Sequence, residues 1–130
     1  DLADAYRERV SIYERLLREA KVAVTNPTGA GETFCLSAAE FGLLGVPVVT
    51  RNAGGPIDVV ASGVSGILFD DERDLPEAVV GLLRDEERRA EMGRNAMARV
   101  RSRLDIAAVI DQWRRVIDEI LAGDPVAADL

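Results

Sequence analysis

Glu32-Thr33-Phe34-Cys35-Leu36-Ser37-Ala38-Ala39-Glu40-Phe41-Gly42-Leu43-Leu44-Gly45-Val46-Pro47-Val48-Val49-Thr50 is the most telling run of this chain. Its first part is an apolar stretch ended by Gly45, which suits a buried helix. Its last part, residues 46–50, reads as a strand, with Pro47 placed at the strand's beginning because a proline removes one ladder hydrogen bond. Between Glu32 and Arg51 the only charged side chain is Glu40. A lone carboxylate in so apolar a segment is costly to bury unless something polar meets it, which makes Glu40 a candidate ligand contact.

Working outward, residues 22–25 form a short apolar strand segment, and Asn26-Pro27-Thr28-Gly29-Ala30-Gly31 is dense in turn formers. Upstream, Tyr6, Val10, Tyr13, Leu17 and Ala20 recur at helical spacing among charges, as in an amphipathic helix. Downstream, Asn52-Ala53-Gly54-Gly55 is a flexible loop, Pro56 opens a short helix to about Ser62, and residues 66–69 supply a third strand. Near-continuous apolar strands alternating with helices indicate an α/β fold whose parallel sheet is covered on both faces.

Beyond Phe69 the pattern becomes helical. Asp74 with Glu77 resembles a capping box for residues 75–83, and Ala90, Met97, Val100 and Leu104 mark the apolar stripe of the next helix. Asp105 is placed to cap a last helix that buries Ile106, Ile110, Trp113, Ile117 and Ile120, stopped by Gly123-Asp124-Pro125. The expected organisation is one domain over residues 1–123, with an α/β part at about 1–70, a helical part at about 74–122, and a frayed tail at 124–130.

Composition narrows the chemistry. With 130 residues, 48% of them hydrophobic, the chain can build one modest core. An excess of 23 acidic over 16 basic residues points away from nucleic acid, and no apolar run approaches the length of a membrane span. Cys35 has no second cysteine to pair with, so a soluble cytoplasmic domain is the expectation, and a chain opening on Asp1 in a charged helical segment reads as a piece of a longer protein. The absence of histidine excludes a Ser-His-Asp triad and a His-bound zinc within the chain. No Asp-x-Asp pair is present, and Lys21, the single lysine, is in no P-loop context. Any chemistry rests on carboxylates, hydroxyls, arginines and backbone dipoles.

Ligands of open parallel sheets bind at the carboxyl ends of the strands. The loops in that position are residues 26–33 and 51–55, both glycine-rich and both leading into helices whose first NH groups can receive an anion. A phosphate-bearing small molecule is the natural ligand class.

These motifs together resemble the group 1 (family 4-like) glycosyltransferases: Asn26-Pro27 through Glu32, the seven-residue gap to Glu40, Gly45-Val46-Pro47-Val48-Val49, Gly54-Gly55-Pro56 and Gly63-Val64-Ser65-Gly66-Ile67-Leu68-Phe69. The resemblance runs from about Tyr6 to Leu121 and is densest over residues 22–69. It implies a retaining enzyme of the GT-B fold that moves a sugar from a nucleotide diphosphate donor to an acceptor, with this chain forming the C-terminal half of a Rossmann-like donor-binding domain. It further implies that Glu40 accepts from the ribose hydroxyls and that Glu32 is the catalytic-site glutamate beside the donor sugar. The amides of Phe34, Cys35 and Leu36 would face the transferred sugar and the diphosphate, with Gly54 and Gly55 close to the same phosphates. No cofactor and no metal is implied, the nucleotide sugar being a substrate.

The departures matter as well. The family commonly reads Glu-Gly-Phe-Gly where this chain has Glu32-Thr33-Phe34-Cys35, and Glu where it has Asp58. The family's basic diphosphate clamp has no match here. Its strand order, 3-2-1-4-5-6, would leave residues 22–25 at an edge in this chain, to be covered by the preceding half of the domain or by another copy. Two alternatives stand beside this reading: an NADP-type dinucleotide fold built on Gly29-Ala30-Gly31 and Arg51, and a non-catalytic interaction module. Gly54 and Gly55 can equally be turn residues, Cys35 and Trp113 read as packed core, and the arginines of residues 84–103 as a solvated face.

Overall fold

A computed structural model describes residues 1–26 and 31–122. Residues 27–30 of the first turn-rich loop and the expected tail at 124–130 lie outside the described residues. Three strands, β1 (Ala23–Thr25), β2 (Val48–Arg51) and β3 (Gly66–Phe69), pair in parallel in the order β1-β2-β3. The register sets Ala23 beside Val48 and Val48 beside Gly66. The helices are α1 (Leu2–Glu19), α2 (Leu36–Leu43), α3 (Pro56–Val59), α4 (Leu75–Arg84), α5 (Glu86–Arg103) and α6 (Ile106–Ala122), with a 3-10 turn at Glu72–Asp74. Two compact units result, Asp1–Val100 and Arg101–Leu130, and the sheet lies in the first.

Because successive strand side chains point to opposite faces, the central strand β2 serves two cores. Val48 packs with Ala23, Cys35, Ala38, Ala39, Val59 and Val100 on one side. Val49 packs with Phe69, Leu82 and Met92 on the other. This is the two-sided cover that the apolar strands predict. Pro47 precedes the ladder of β2, and its carbonyl accepts from the Ala23 amide at 3.1 Å. β1 is an edge strand, paired among the described residues with β2 alone, and Val24 on it is exposed.

Several local expectations shift. Asp74 makes no side-chain cap, since it closes the 3-10 turn in a helical conformation; Asp71 instead accepts from the Arg73 amide at 2.9 Å. α3 ends at Val59 rather than near Ser62, because Val60 is extended and a turn follows in which Ser65 Oγ accepts from the Ala61 amide. The buried face of α5 carries Met92, Gly93, Ala96 and Val100, with Ala90 and Leu104 exposed. Gly93 sets that phase: a Cβ on it would run into the Gly45 carbonyl, so the helix approaches the α2–β2 turn through its bare backbone. An apolar count passes over a glycine, which is why the expected stripe was rotated.

Two arginines of α5 are not on a solvated face. Arg89 donates to the carbonyls of Leu82 and Leu83 at the end of α4, and Arg99 donates to those of Asp58 and Val59 at the end of α3. Each satisfies carbonyls that a helix end leaves without partners.

α1 forms as its periodicity predicts, yet only Leu17 of its apolar face is buried, and Tyr6 is 70% exposed. α6, which Asp105 caps through the Ala107 amide at 2.9 Å, corrects the sequence reading further. Ile106, Ile110, Trp113, Ile117 and Ile120 are all exposed, so Trp113 is not core in this chain. Helical periodicity specifies which residues share a face; it does not supply the surface that would cover them.

Candidate functional site

The carboxyl ends of β1 and β2 open onto two loops held against each other. The Gly55 amide donates to the Glu32 carbonyl at 2.9 Å. A Cβ on Gly54 would lie 2.6 Å from that carbonyl oxygen, and one on Gly55 would collide with the backbone of Thr33 and Phe34. Neither position therefore has room for a side chain. Small residues here are a structural requirement of the juxtaposition that brings Glu32, Phe34, Cys35, Gly54 and Gly55 together.

Glu32 turns its carboxylate onto the start of α2. Its Oε1 accepts from the Cys35 amide at 2.6 Å and from the Phe34 amide at 3.3 Å. An anion at a helix N-terminus is favoured both by the unpaired NH groups and by the helix dipole. Two of the amides assigned by resemblance to the donor are thus held by Glu32 in this structure. Leu36 opens the helix with its side chain exposed.

Cys35, at the N-cap of α2, has φ of 63°, the sole described residue other than glycine in the left-handed region. That conformation costs a residue with a Cβ roughly 1–2 kcal/mol. A glycine would adopt this turn without strain, and here a cysteine bears it. Its thiol is buried, as expected, and donates towards Thr25 Oγ1 at 3.8 Å. Thr25 in turn donates to Thr50 Oγ1 at 2.7 Å. Thr25 ends β1 and Thr50 is the last residue but one of β2; neither was singled out in the sequence, where their place near the carboxyl ends of adjacent strands was the available signal.

Glu40 lies on the second turn of α2, half-buried, and accepts a hydrogen bond from Tyr13 of α1 at 2.7 Å. The polar group that its isolation demanded is this phenol, which the sequence reading placed only as part of an apolar stripe. The hydrogen bond to Glu40 raises the Tyr13 phenol above its ordinary value, with burial and the carboxylate's charge acting in the same direction. The contact is therefore fully present below the ordinary phenol value and is lost as pH rises through the raised one. Asp58 sits exposed on α3, and among the described residues no cluster of His, Cys, Asp or Glu is arranged to hold a metal ion. Among them too, no helix is long and apolar enough to cross a membrane.

The sequence pattern of the glycosyl transferases group 1 family matches residues 6–99. An alpha-1,3/1,6-mannosyltransferase of Neurospora crassa is 30% identical over 120 residues, covering 88% of this chain and 25% of that protein. A D-inositol 3-phosphate glycosyltransferase of Catenulispora acidiphila is 37% identical over 110 residues, covering 81% of this chain and 25% of that protein. Among solved structures, HepE of Anabaena in complex with UDP superposes with a TM-score of 0.73 at 25% identity, over 80% of this chain and 29% of its own. The chain spans about a quarter of the length of these curated relatives. The parallel sheet with flanking helices is that of the GT-B glycosyltransferases. By the family match over residues 6–99, the chain belongs to the group 1 glycosyltransferases.

Proposed function

We propose that the protein containing this chain transfers a sugar, with retention, from a nucleotide diphosphate donor to an acceptor, and that this chain forms part of the donor-binding half. One observation carries the reading: the Glu32 loop, the amides of the turn leading into α2 and the Gly54–Gly55 loop meet at the carboxyl ends of the strands, with Glu40 on the second turn of that helix. The relatives named as mannosyltransferase and glycosyltransferase, and the likeness to HepE solved with UDP, support a nucleotide-sugar donor. The family match favours neither the dinucleotide reading nor a bare interaction module.

In this proposal Glu40 accepts from the vicinal ribose hydroxyls, for which a carboxylate has acceptor sites enough. The amides of Phe34, Cys35 and Leu36 receive the diphosphate and the developing charge at the transferred sugar. Gly54 and Gly55 let backbone approach the same phosphates, and Glu32 stands beside the sugar. No metal is called for in this half, since amides and a helix dipole answer the donor's charge. The preceding part of the domain, or another copy of this chain, covers the open edge of β1, and the compartment is the cytoplasm.

The test is donor affinity in the intact protein. Glu40→Ala should weaken binding of the nucleotide sugar by roughly 1.5–3 kcal/mol, the worth of one hydrogen bond to a charged group. Unchanged affinity in calorimetry would remove Glu40 from the donor site.

A further inference from the structure

Glu40 has one hydrogen-bond partner among the described residues, the Tyr13 hydroxyl, and the two residues are 27 apart in sequence. The contact bridges α1 and α2 across a groove of about 330 Å³, lined on the α1 side by Tyr13 and Leu17 with the charged Glu14 and Arg18, and on the other by Glu40 and Leu43 among others. Tyr13 remains about half exposed, so its ring faces the groove as well as reaching the carboxylate. A long, unbranched Glu side chain on a helix surface ordinarily samples several rotamers, and fixing it costs up to about 1.5–2 kcal/mol. Here the fixing is done before any ligand arrives. The phenol occupies one acceptor site on Oε2, which leaves Oε1 and the remaining lone pairs open.

We propose that Tyr13 is a positioning residue for the nucleoside: it holds the Glu40 carboxylate in the orientation that receives the ribose diol of the donor. This rests on the reading of Glu40 as the ribose acceptor and adds to it a residue on a different element. A phenol is suited to the task because it donates one directional hydrogen bond and carries no charge to compete for the diphosphate.

The experiment uses the full-length protein and whichever of UDP and GDP binds it more tightly, beside the 2′,3′-dideoxy form of that nucleotide, which has no diol to offer. Tyr13→Phe keeps the ring and removes only the hydroxyl. It should weaken binding of the ribonucleotide roughly three- to tenfold, as expected for one hydrogen bond. Binding of the dideoxy form should not change, and Tyr13→Phe should have no further effect in a Glu40→Ala background. Equal losses for both nucleotides would show a packing role and overturn the proposal, as would tighter ribonucleotide binding, which would make the phenol an occupant of the ribose site. Failure of the underlying reading has a different signature. Glu40→Ala would then leave the preference for the ribonucleotide intact, whereas a preference abolished by Glu40→Ala but untouched by Tyr13→Phe overturns the role of Tyr13 alone.

Discussion

Glu32 Oε1 lies 2.6 Å from the amide nitrogen of Cys35, three residues ahead, so the glutamate holds an amide of the turn that leads into α2, beside the proposed donor site. An internal carboxylate and an incoming phosphate oxygen call on the same donors, and one must leave for the other to bind.

Removing the internal anion should therefore separate affinity from turnover. Glu32→Ala in the intact protein is expected to bind a nucleoside diphosphate a few-fold more tightly, while losing about 1 kcal/mol of stability with its hydrogen bonds to the turn and most of its sugar transfer. Calorimetry with the diphosphate, paired with a transfer assay, reads both. Weaker binding of the diphosphate would mean that Glu32 supports the anion site rather than filling it.

The Gly54–Gly55 loop makes a contrast available within the chain. Gly55→Ala puts a methyl into the backbone of Thr33 and Phe34 and should cost roughly 1–3 kcal/mol as the loops are forced apart. Gly81→Ala, inside α4 with open space at the Cβ position, should instead stabilise by roughly 0.5–1 kcal/mol. Urea unfolding of the two variants gives the comparison, and a harmless Gly55→Ala would show that the loops are not in contact.

The left-handed turn at Cys35 yields a test in which the smaller side chain wins. Cys35→Gly should be more stable than Cys35→Ala by about 1 kcal/mol, because alanine keeps the Cβ strain and glycine relieves it. Thermal unfolding of both variants decides the order. Alanine matching or exceeding glycine would indicate a relaxed backbone at this position.

The open edge of β1 should make the isolated chain associate. Val24 is 47% exposed on a strand paired on one side, and a bare apolar edge invites pairing with another. Sedimentation at increasing concentration should show self-association that Val24→Lys reduces. No sugar transfer is expected from the chain alone, since nothing in it matches the family's basic diphosphate clamp. A strict monomer at all concentrations would contradict the first expectation, and transfer above a Glu32→Ala control the second.

Legibility in the sequence followed the range of the interaction. The three strands, the glycine stop of α2, Pro56 opening α3 and Asp105 capping α6 are set by neighbours within a few residues and stand close to where local chemistry put them, although β2, read as residues 46–50, runs Val48–Arg51 with Pro47 just before it. The Glu32–Glu40 spacing was legible for the same reason, since both belong to one turn and the helix after it. What sequence could not show are the meetings of distant segments: Gly93 against Gly45, Gly55 against Phe34, Thr25 with Thr50, and Tyr13 with Glu40.

Those meetings rest on two surfaces fitting, a property of the packed pair that neither segment carries alone. The sequence by itself determined the parallel α/β class, the two loops at the strand ends and the isolation of Glu40. Only the tertiary structure decided which residue relieves that isolation, that Glu32 engages the amides of Phe34 and Cys35 just before α2, and that Cys35 bears a left-handed backbone. It also showed that the apolar faces of α1 and α6, amphipathic by pattern, stay mostly uncovered in this chain. Periodicity sorts side chains onto a face, whereas burial requires a second surface, and no local pattern encodes its presence.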